Sequence, residues 1–318
     1  MGATVDGASS DGTDFVLGID FGGTKVALAT AAPDGSVLRS ARLATNAADG
    51  APQVVQRSLH CARELLADTS AATGGSCLAV GAVSPGIVEA DRVLLAPNVP
   101  GWDGLSLPAA LREGLSIDCL ELGNDVKAAA RAEARSGSLR GADPALLVLL
   151  GTGVAAGIVV GGEVVTGAHG AAGEFGYNLR GPHDEIATDG RPAPLEEAVG
   201  GRGIGERGGQ LLGTPMSAAD VFASPDGRAR ALIDEALDEL AVHVANLAIA
   251  IDPARVAVGG GLMSQTERVL AALERRLSSA VPFPPELVTA AFVHDGPLRG
   301  AIALALGAAR PAAQEAVG

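Results

Sequence analysis

The sequence predicts an α/β protein of two lobes built around a duplicated, β-rich core. Three observations predict it. A strand, a Gly/Thr turn, a strand, a Gly turn and a strand follow one another from residue 15, and the same order recurs from residue 146. Helix-period stretches lie between and beyond the two copies. The 318 residues, 47% of them apolar, suffice for two domains with substantial cores. Gly-rich hairpins are common in their own right, so the recurrence alone does not establish a duplication.

Taken in order, Phe15–Asp20 reads as an apolar strand ending in a carboxylate. Phe21-Gly22-Gly23-Thr24-Lys25 turns the chain into a second strand, Val26–Thr30, and Ser36–Leu43 alternates as a third. Apolar residues at Val54, Val55, Leu59, Ala62, Leu65 and Leu66 predict an amphipathic helix over Pro52–Leu66. Cys77–Val83 is a buried strand that stops at Ser84-Pro85-Gly86, and a loop from Leu95 holds the single Trp, Trp102. Glu121–Asn124 ends a short apolar run, and Val126–Arg135 is a helical pattern closed by Gly137. Leu146–Leu150, Gly151-Thr152-Gly153, Val154–Val160, Gly161-Gly162 and Glu163–Thr166 form the second copy. The chain is then irregular to about Glu196 and Gly-rich from Gly200 to Gly205. Helices over Arg228–Ala250, Glu267–Leu277 and Gly300–Ala309 follow, the last packed back on the first lobe. A strand over Arg255–Val258, ending in Gly259-Gly260-Gly261, separates the first two of them.

The net charge of −14 argues against nucleic acid as a partner, because a phosphate backbone is bound by Lys and Arg. Cys61, Cys77 and Cys119 lack C-x-x-C spacing and read as buried free thiols in a reducing compartment. No apolar run is long enough for a membrane span, which takes roughly 18 residues. The N-terminus has no signal-peptide pattern, and Asp6 stands where a myristoylation sequence needs Ser or Thr. A soluble, cytoplasmic protein is expected.

Asp20, at a strand end beside Gly22-Gly23-Thr24, offers a carboxylate for Mg2+, directly or through water. The glycines let phosphate oxygens approach backbone N–H groups. Gly151-Thr152-Gly153 offers a second cradle, and Gly259-Gly260-Gly261 a flat surface for an adenine. Neither cradle is a Walker A loop or a dinucleotide fingerprint, and for any one of them a tight turn is the plainer use. Asp125 sits where a strand gives way to a helix, so its carboxylate is expected to lie exposed in a cleft, kept ionised by the helix N-terminus. There it would accept a proton from an attacking hydroxyl. The local alternative is a plain N-cap. Asn124 and Glu174 would hold sugar hydroxyls; their local alternatives are a turn residue and a surface acid.

Together these residues resemble the ROK family of sugar kinases and sugar-responsive repressors, which has the actin-like (ribonuclease H-like) ATPase fold. Asp20–Lys25 resembles that family's first phosphate loop and Leu150–Val154 its second. Pro85-Gly86 and Pro97–Trp102 are similar to its sugar-side loops, and Asn124-Asp125 to its sugar-binding Asn and catalytic Asp. Gly167–Gly176 resembles its signature run, in which the Glu binds sugar, and Gly259-Gly260-Gly261 its adenosine-side turn. The resemblance implies Asp125 as the catalytic base and a sugar site of Gly86, Asn98, Asn124, Asp125, Glu174, Tyr177 and Glu196. It implies ATP at Asp20, Gly22, Gly23, Thr24, Lys25, Gly151, Thr152, Gly153, Gly260 and Gly261, with Mg2+ at Asp20. Residues 1–120 with 300–318 would form the small lobe and 121–299 the large one, and a homodimer is the family expectation.

Two departures stand out. Tyr177 replaces the family His that serves the sugar and a structural zinc. The zinc cluster corresponds to Ala187, Asp189, Gly190, Ala193, Pro194 and Glu196, with every cysteine replaced, so no zinc is expected. His183, Asp184 and Glu185 read as a solvated loop. The expected activity is ATP-dependent phosphorylation of the primary, 6-hydroxyl of a hexose, glucose first. An amino-hexose such as kanosamine or glucosamine, or a C7-cyclitol of antibiotic biosynthesis, is the runner-up. A repressor would carry a helix-turn-helix before the first phosphate loop, where only 19 mostly polar residues precede Asp20, and a non-catalytic sensor would have lost Asp125 or a loop.

Overall fold

The computed structural model describes residues 12–89, 91–94, 96, 99–184 and 193–309. The strands β1 (Thr13–Phe21), β2 (Lys25–Ala31) and β3 (Val37–Ala44) make an antiparallel meander. The helix α1 (Ala51–Thr73) then crosses to β4 (Gly74–Ser84), which pairs parallel with β1. A small hairpin of β5 (Ile87–Val88) and β6 (Val93–Leu94) leads to α2 (Leu107–Leu115) and on to β7 (Leu120–Asn124), parallel to β4. After α3 (Asp125–Ser136) the pattern repeats with β8 (Ala145–Leu150), β9 (Val154–Val160) and β10 (Glu163–Val164), again antiparallel. The helices α4 (Pro194–Val199), α5 (Gly201–Leu212), α6 (Ala218–Ala223) and α7 (Gly227–Ile251) precede β11 (Arg255–Gly259), which lies parallel to β8. α8 (Thr266–Ala280), β12 (Glu286–Thr289) and α9 (Gly296–Ala308) complete the order.

The two sheets run β3-β2-β1-β4-β7 and β10-β9-β8-β11-β12. Each is three antiparallel strands followed by two parallel ones, so the recurrence in the sequence is a recurrence of topology. The outer face of the first sheet buries Leu17, Ile19 and Val80 against Val54 and Leu65 of α1 and Leu107 and Leu111 of α2. The second sheet buries Leu146, Val148 and Val256 against Ile233, Leu240 and Val244 of α7 and Leu273 of α8. Each such side chain contributes about 1.5–3 kcal/mol when fully buried. The other faces take one helix each. α9 sets Leu298, Ile302 and Ala305 on Val16, Ala27 and Ala79, and α3 sets Ala129 and Ala130 on Ala145, Leu147 and Ala257.

Small residues let these two helices lie close. A Cβ on Gly18 of β1 would stand 2.7 Å from Ile302, and one on Gly81, its register partner in β4, 1.9 Å from the Ala301 carbonyl oxygen. A Cβ on Gly300 would stand 2.5 Å from the backbone of Ala128. α3 and α9 therefore touch backbone to backbone between the sheets.

Several elements differ from expectation. α1 runs to Thr73, where Gly74 at φ 71 ends it. The strand expected over Glu163–Thr166 stops at Val164, and α9 begins at Gly296 rather than Gly300. The Gly-rich run at 200–205 is mostly helix, because its glycines are contact points: Cβ atoms on Gly203 and Gly208 would meet the Glu197 carbonyl oxygen at 2.0 Å and Val221 at 2.2 Å. α2, α6 and β12 were not foreseen, being short elements with little periodicity to display. The three cysteines are free and half-buried rather than fully buried. Among the described residues no helix is long and apolar enough to cross a membrane.

Gly81→Ala is expected to cost about 1–3 kcal/mol by overpacking against α9 and to lower the melting temperature by several degrees. Gly307→Ala, on the same helix but with nothing within 4 Å of its added methyl, is expected to leave it unchanged or raise it. Calorimetric melts of the two variants check the contrast.

Candidate active site

The end of β7 and the start of α3 place the first group of functional side chains. Asn124 is the N-cap: its Oδ1 accepts from the Lys127 N–H at 2.9 Å. Its Nδ2 donates to the Gly86 carbonyl at 2.8 Å and to Glu174 Oε1 at 3.4 Å. Because Asn124 takes the cap, Asp125 is the first helical residue, and its Oδ1 accepts from the adjacent Val126 N–H at 2.8 Å. Asp125 is half-buried rather than exposed. The N–H groups at the start of α3 favour the ionised form, as expected, but burial opposes them. Burial pushes its carboxyl up, and the Val126 N–H and the Lys127 charge offset that only in part.

Glu174 reaches this group from the loop after β10. Gly173 at φ 84 permits the approach, since a Cβ there would lie 1.8 Å from the Ala156 carbonyl oxygen of β9. A short 3-10 turn over Phe175–Tyr177 follows, with Phe175 buried beneath it. Glu196, on α4, leans on the second Gly/Thr loop. Its Oε2 accepts from the Val154 N–H at 3.2 Å, and a Cβ on Gly153 would stand 2.0 Å from that oxygen.

The two loops face each other. The first is braced by Thr45, whose hydroxyl donates to the Gly22 carbonyl at 2.6 Å and whose N–H donates to the Thr24 carbonyl at 3.0 Å. In the second, the Gly151 and Thr152 carbonyls accept from the Gly201 and Arg202 N–H groups at the start of α5, at 2.9 and 3.0 Å. The Thr24 and Thr152 hydroxyls lie 3.2 Å apart. Gly260 has φ 97 and fits against Leu150, at the mouth of the second loop, where a Cβ would come within 2.4 Å of the Leu150 carbonyl oxygen. Gly261 faces open space. Trp102 packs on Phe21 with ring centroids 5.4 Å apart and donates to the Ser84 hydroxyl at 2.8 Å, which stiffens the ends of β1 and β4.

Four carboxylates share this region, and burial is the main influence on each. It pushes Asp20 up to about 7, helped by the charge of Asp125 and opposed by Lys25. Glu174 is likewise pushed up to about 7, with Lys127 opposing and Asp125 and Glu196 adding to the rise. Glu196 is raised in the same sense. Burial and the nearby acids Glu196, Glu174 and Asp103 push the Tyr177 phenol up to about 12, so it stays a neutral donor. Asp20, Asp125, Glu174, Tyr177 and Glu196 thus come together, with Asn124, Gly86 and both loops at their edges, and Gly260 packs on Leu150 where the second loop begins. Asn98 lies outside the described residues, as do Ala187, Asp189 and Gly190 of the zinc-cluster positions and Glu185. Sequence reasoning missed Lys127, whose Nζ lies 3.8 Å from Glu174 Oε1. Its place three residues beyond the cap, in the first turn of α3, was the available signal. It missed Thr45 and Ser84 as well, which act only through tertiary contacts.

The segment after Tyr177 is tied to α7. Asn178 Nδ2 donates to His243 Nδ1 at 3.2 Å, and the Arg180 guanidinium grips Glu239 with Nε and Nη2. Asp184 closes the turn by accepting from the Gly181 N–H at 2.9 Å.

Two sheets of this topology, with facing Gly/Thr loops beside a cluster of acids, are the actin-like ATPase fold as sugar kinases carry it. The chain belongs to the ROK family, whose profile matches residues 16–308. It is 32% identical over 299 residues to N-acetylmannosamine kinase of Shigella boydii, covering 92% of this chain and 98% of that one. It is 31% identical over 307 residues to N-acetyl-D-glucosamine kinase of Yersinia pseudotuberculosis, covering 91% and 98%. Among solved structures, a ROK family glucokinase from Streptomyces griseus, in complex with glucose and AMPPNP, superposes with a TM-score of 0.76 at 27% identity over 92% of this chain and 99% of that one.

The His243 tie makes stability depend on pH. Burial and the Arg180 charge lower the His243 pKa below 6.5, against the pull of Glu239. A depressed histidine pKa means the folded state prefers the neutral ring, so its contribution is present above about pH 6.5 and is lost as pH falls through the lower folded value. The carboxylates raised by burial are common to both proteins and favour the fold as pH falls, so the His243 contribution is read as a difference: the melting temperature of the wild type minus that of His243→Gln is expected to fall between pH 6.5 and 5. Thermal scans across that range test it.

Proposed function

We propose that this ROK sugar kinase transfers the γ-phosphoryl group of ATP to the 6-hydroxyl of a hexose, with glucose the first substrate to test. The observation that carries the reading is the meeting of Asn124, Asp125 and Glu174 beside two Gly/Thr loops whose threonines lie within 3.2 Å of each other. That spacing puts both loops within reach of one triphosphate. Gly22, Gly23, Thr24 and Lys25 would hold it from one side and Gly151, Thr152 and Gly153 from the other, with the adenosine against Gly260 and Gly261. Asn124, the Gly86 carbonyl, Glu174, Tyr177 and Glu196 would orient the ring, Asn98 being the remaining family position. The small lobe would be residues 1–120 with 300–318 and the large lobe 121–299.

Asp125 takes the proton of the 6-hydroxyl as that oxygen bonds to the γ-phosphorus and the bond to the bridging oxygen of ADP breaks. Burial raises its pKa above the ordinary carboxylate value, which makes it the stronger base. Asp20 fits a divalent cation. It is a buried carboxylate with no hydrogen bond among the described residues, and a cation would discharge it. Among those residues no three metal-ligating side chains converge, so phosphate oxygens and water would complete the shell, as suits Mg2+. Such an ion neutralises charge on the phosphates.

A second reading has a specific support. The two curated relatives cited act by name on N-acetylated hexosamines, at 32% and 31% identity. Tyr177, a neutral donor larger than an imidazole, alters the sugar side of the pocket and makes a 2-substituted ring the first alternative to glucose.

Coupled ADP-release assays over glucose, mannose, N-acetylmannosamine, N-acetylglucosamine, glucosamine, kanosamine and a valiolone-type cyclitol test both. Turnover is expected on a hexose, and Asp125→Asn is expected to lower kcat by about 10²–10⁴-fold with little change in KM. Wild-type turnover on none of these, or an unimpaired Asp125→Asn variant, sinks the proposal.

A further inference from the structure

We propose that Lys127 is a positioning residue for the sugar site: with Asn124 it holds one oxygen of Glu174 so that the other points to the substrate. The inference rests on the reading of Glu174 as a sugar ligand and adds a residue to it.

The three residues close a ring, through the Lys127 backbone N–H and the three side chains. The Lys127 N–H donates to Asn124 Oδ1 at 2.9 Å, which turns the Asn124 amide so that its NH2 faces Gly86 and Glu174. That NH2 donates to Glu174 Oε1 at 3.4 Å, and the Lys127 ammonium lies 3.8 Å from the same oxygen. Oε1 is thereby committed to α3, and Oε2 is left to accept from a sugar hydroxyl. The ammonium is well shielded, its side chain 11% exposed against 20% for Glu174. A lysine this buried is rarely kept without a partner, and among the described residues Glu174 is the one within ion-pairing distance. The ring also joins two separate pieces of chain, the helix α3 and the loop following β10, so the sugar loop is registered against the residue that carries the base.

Charge makes the role measurable. The groups facing Glu174 are Lys127 and Asp125 on α3, Glu196 on α4 and, beside it in its own loop, Tyr177. Lys127 is the cation that opposes burial and the acidic neighbours there. Without it Glu174 would hold its proton to a higher pH, and a protonated carboxyl makes a poorer acceptor for a hydroxyl. The loss on removing Lys127 should therefore be larger at neutral than at alkaline pH, whereas a purely structural role would cost the same at both.

Sugar affinity by calorimetry, backed by kcat/KM at saturating ATP, is measured from pH 6 to 9 for wild type, Lys127→Met and Lys127→Arg, with melting temperatures alongside. Lys127→Met is expected to bind sugar on the order of tenfold more weakly at pH 7 and within about threefold of wild type at pH 9. The KM for ATP is expected to stay unchanged, and Lys127→Arg to follow the wild-type pH profile. If Lys127→Met fails to fold, Lys127→Gln takes its place. A pH-independent loss, a rise in KM for ATP, or unaltered sugar binding overturns the role of Lys127 while leaving the kinase reading intact. A wild type that binds no sugar overturns the reading of the site itself, and this inference with it.

Discussion

The backbone contact between α3 and α9 is the constraint on which the rest of the molecule depends. Each helix covers the inner face of one sheet, and they can meet only because alanine and glycine occupy the crossing, Ala128 and Ala129 against Gly300 and Gly296. Side chains of ordinary size would push the sheets apart. With them the N-terminus of α3 emerges where the two Gly/Thr loops face each other. Asn124 and Asp125 then sit at the mouth between the sheets rather than on an outer surface.

That placement has an electrostatic cost. Asp20, Asp125, Glu174 and Glu196 are drawn into a partly dry region where burial raises the pKa of each and Asp125 adds to the rise at the other three. Carboxylates in such surroundings gain from any cation brought among them, whether a lysine ammonium or a metal accompanying a triphosphate. Lys25, Lys127 and Arg202 are cations the chain itself supplies there, beside Asp20, Glu174 and Glu196 in turn. The segment after Tyr177 meets a different need. Asn178 and Arg180 lean on His243 and Glu239 of α7, which ties that segment to the long helix.

Much of the architecture was legible because local chemistry and global packing agree. The period-two strands, the Gly/Thr turns and the long α7 pattern each reported their own element, and the order of motifs pointed to the family. The missed elements were those whose sequence is written for neighbours. The glycines of α5 look like a loop until Val221 and the Glu197 carbonyl are found against them. Lys127 looks like one more solvent-facing residue of an alanine-rich helix until Glu174 arrives from 47 positions downstream to meet it.

What the sequence determined by itself is local. It set the strand-to-helix junction at Asn124-Asp125, the turns at Gly22-Gly23-Thr24 and Gly151-Thr152-Gly153, and the apolar periodicities, because each depends on residues a few positions apart. Tertiary structure alone decided which carboxylates would be buried together, and hence that burial raises the Asp125 pKa against the pull of its helix start. Desolvation belongs to the surroundings of a side chain, and those surroundings are assembled from strands, loops and helices far apart in the chain.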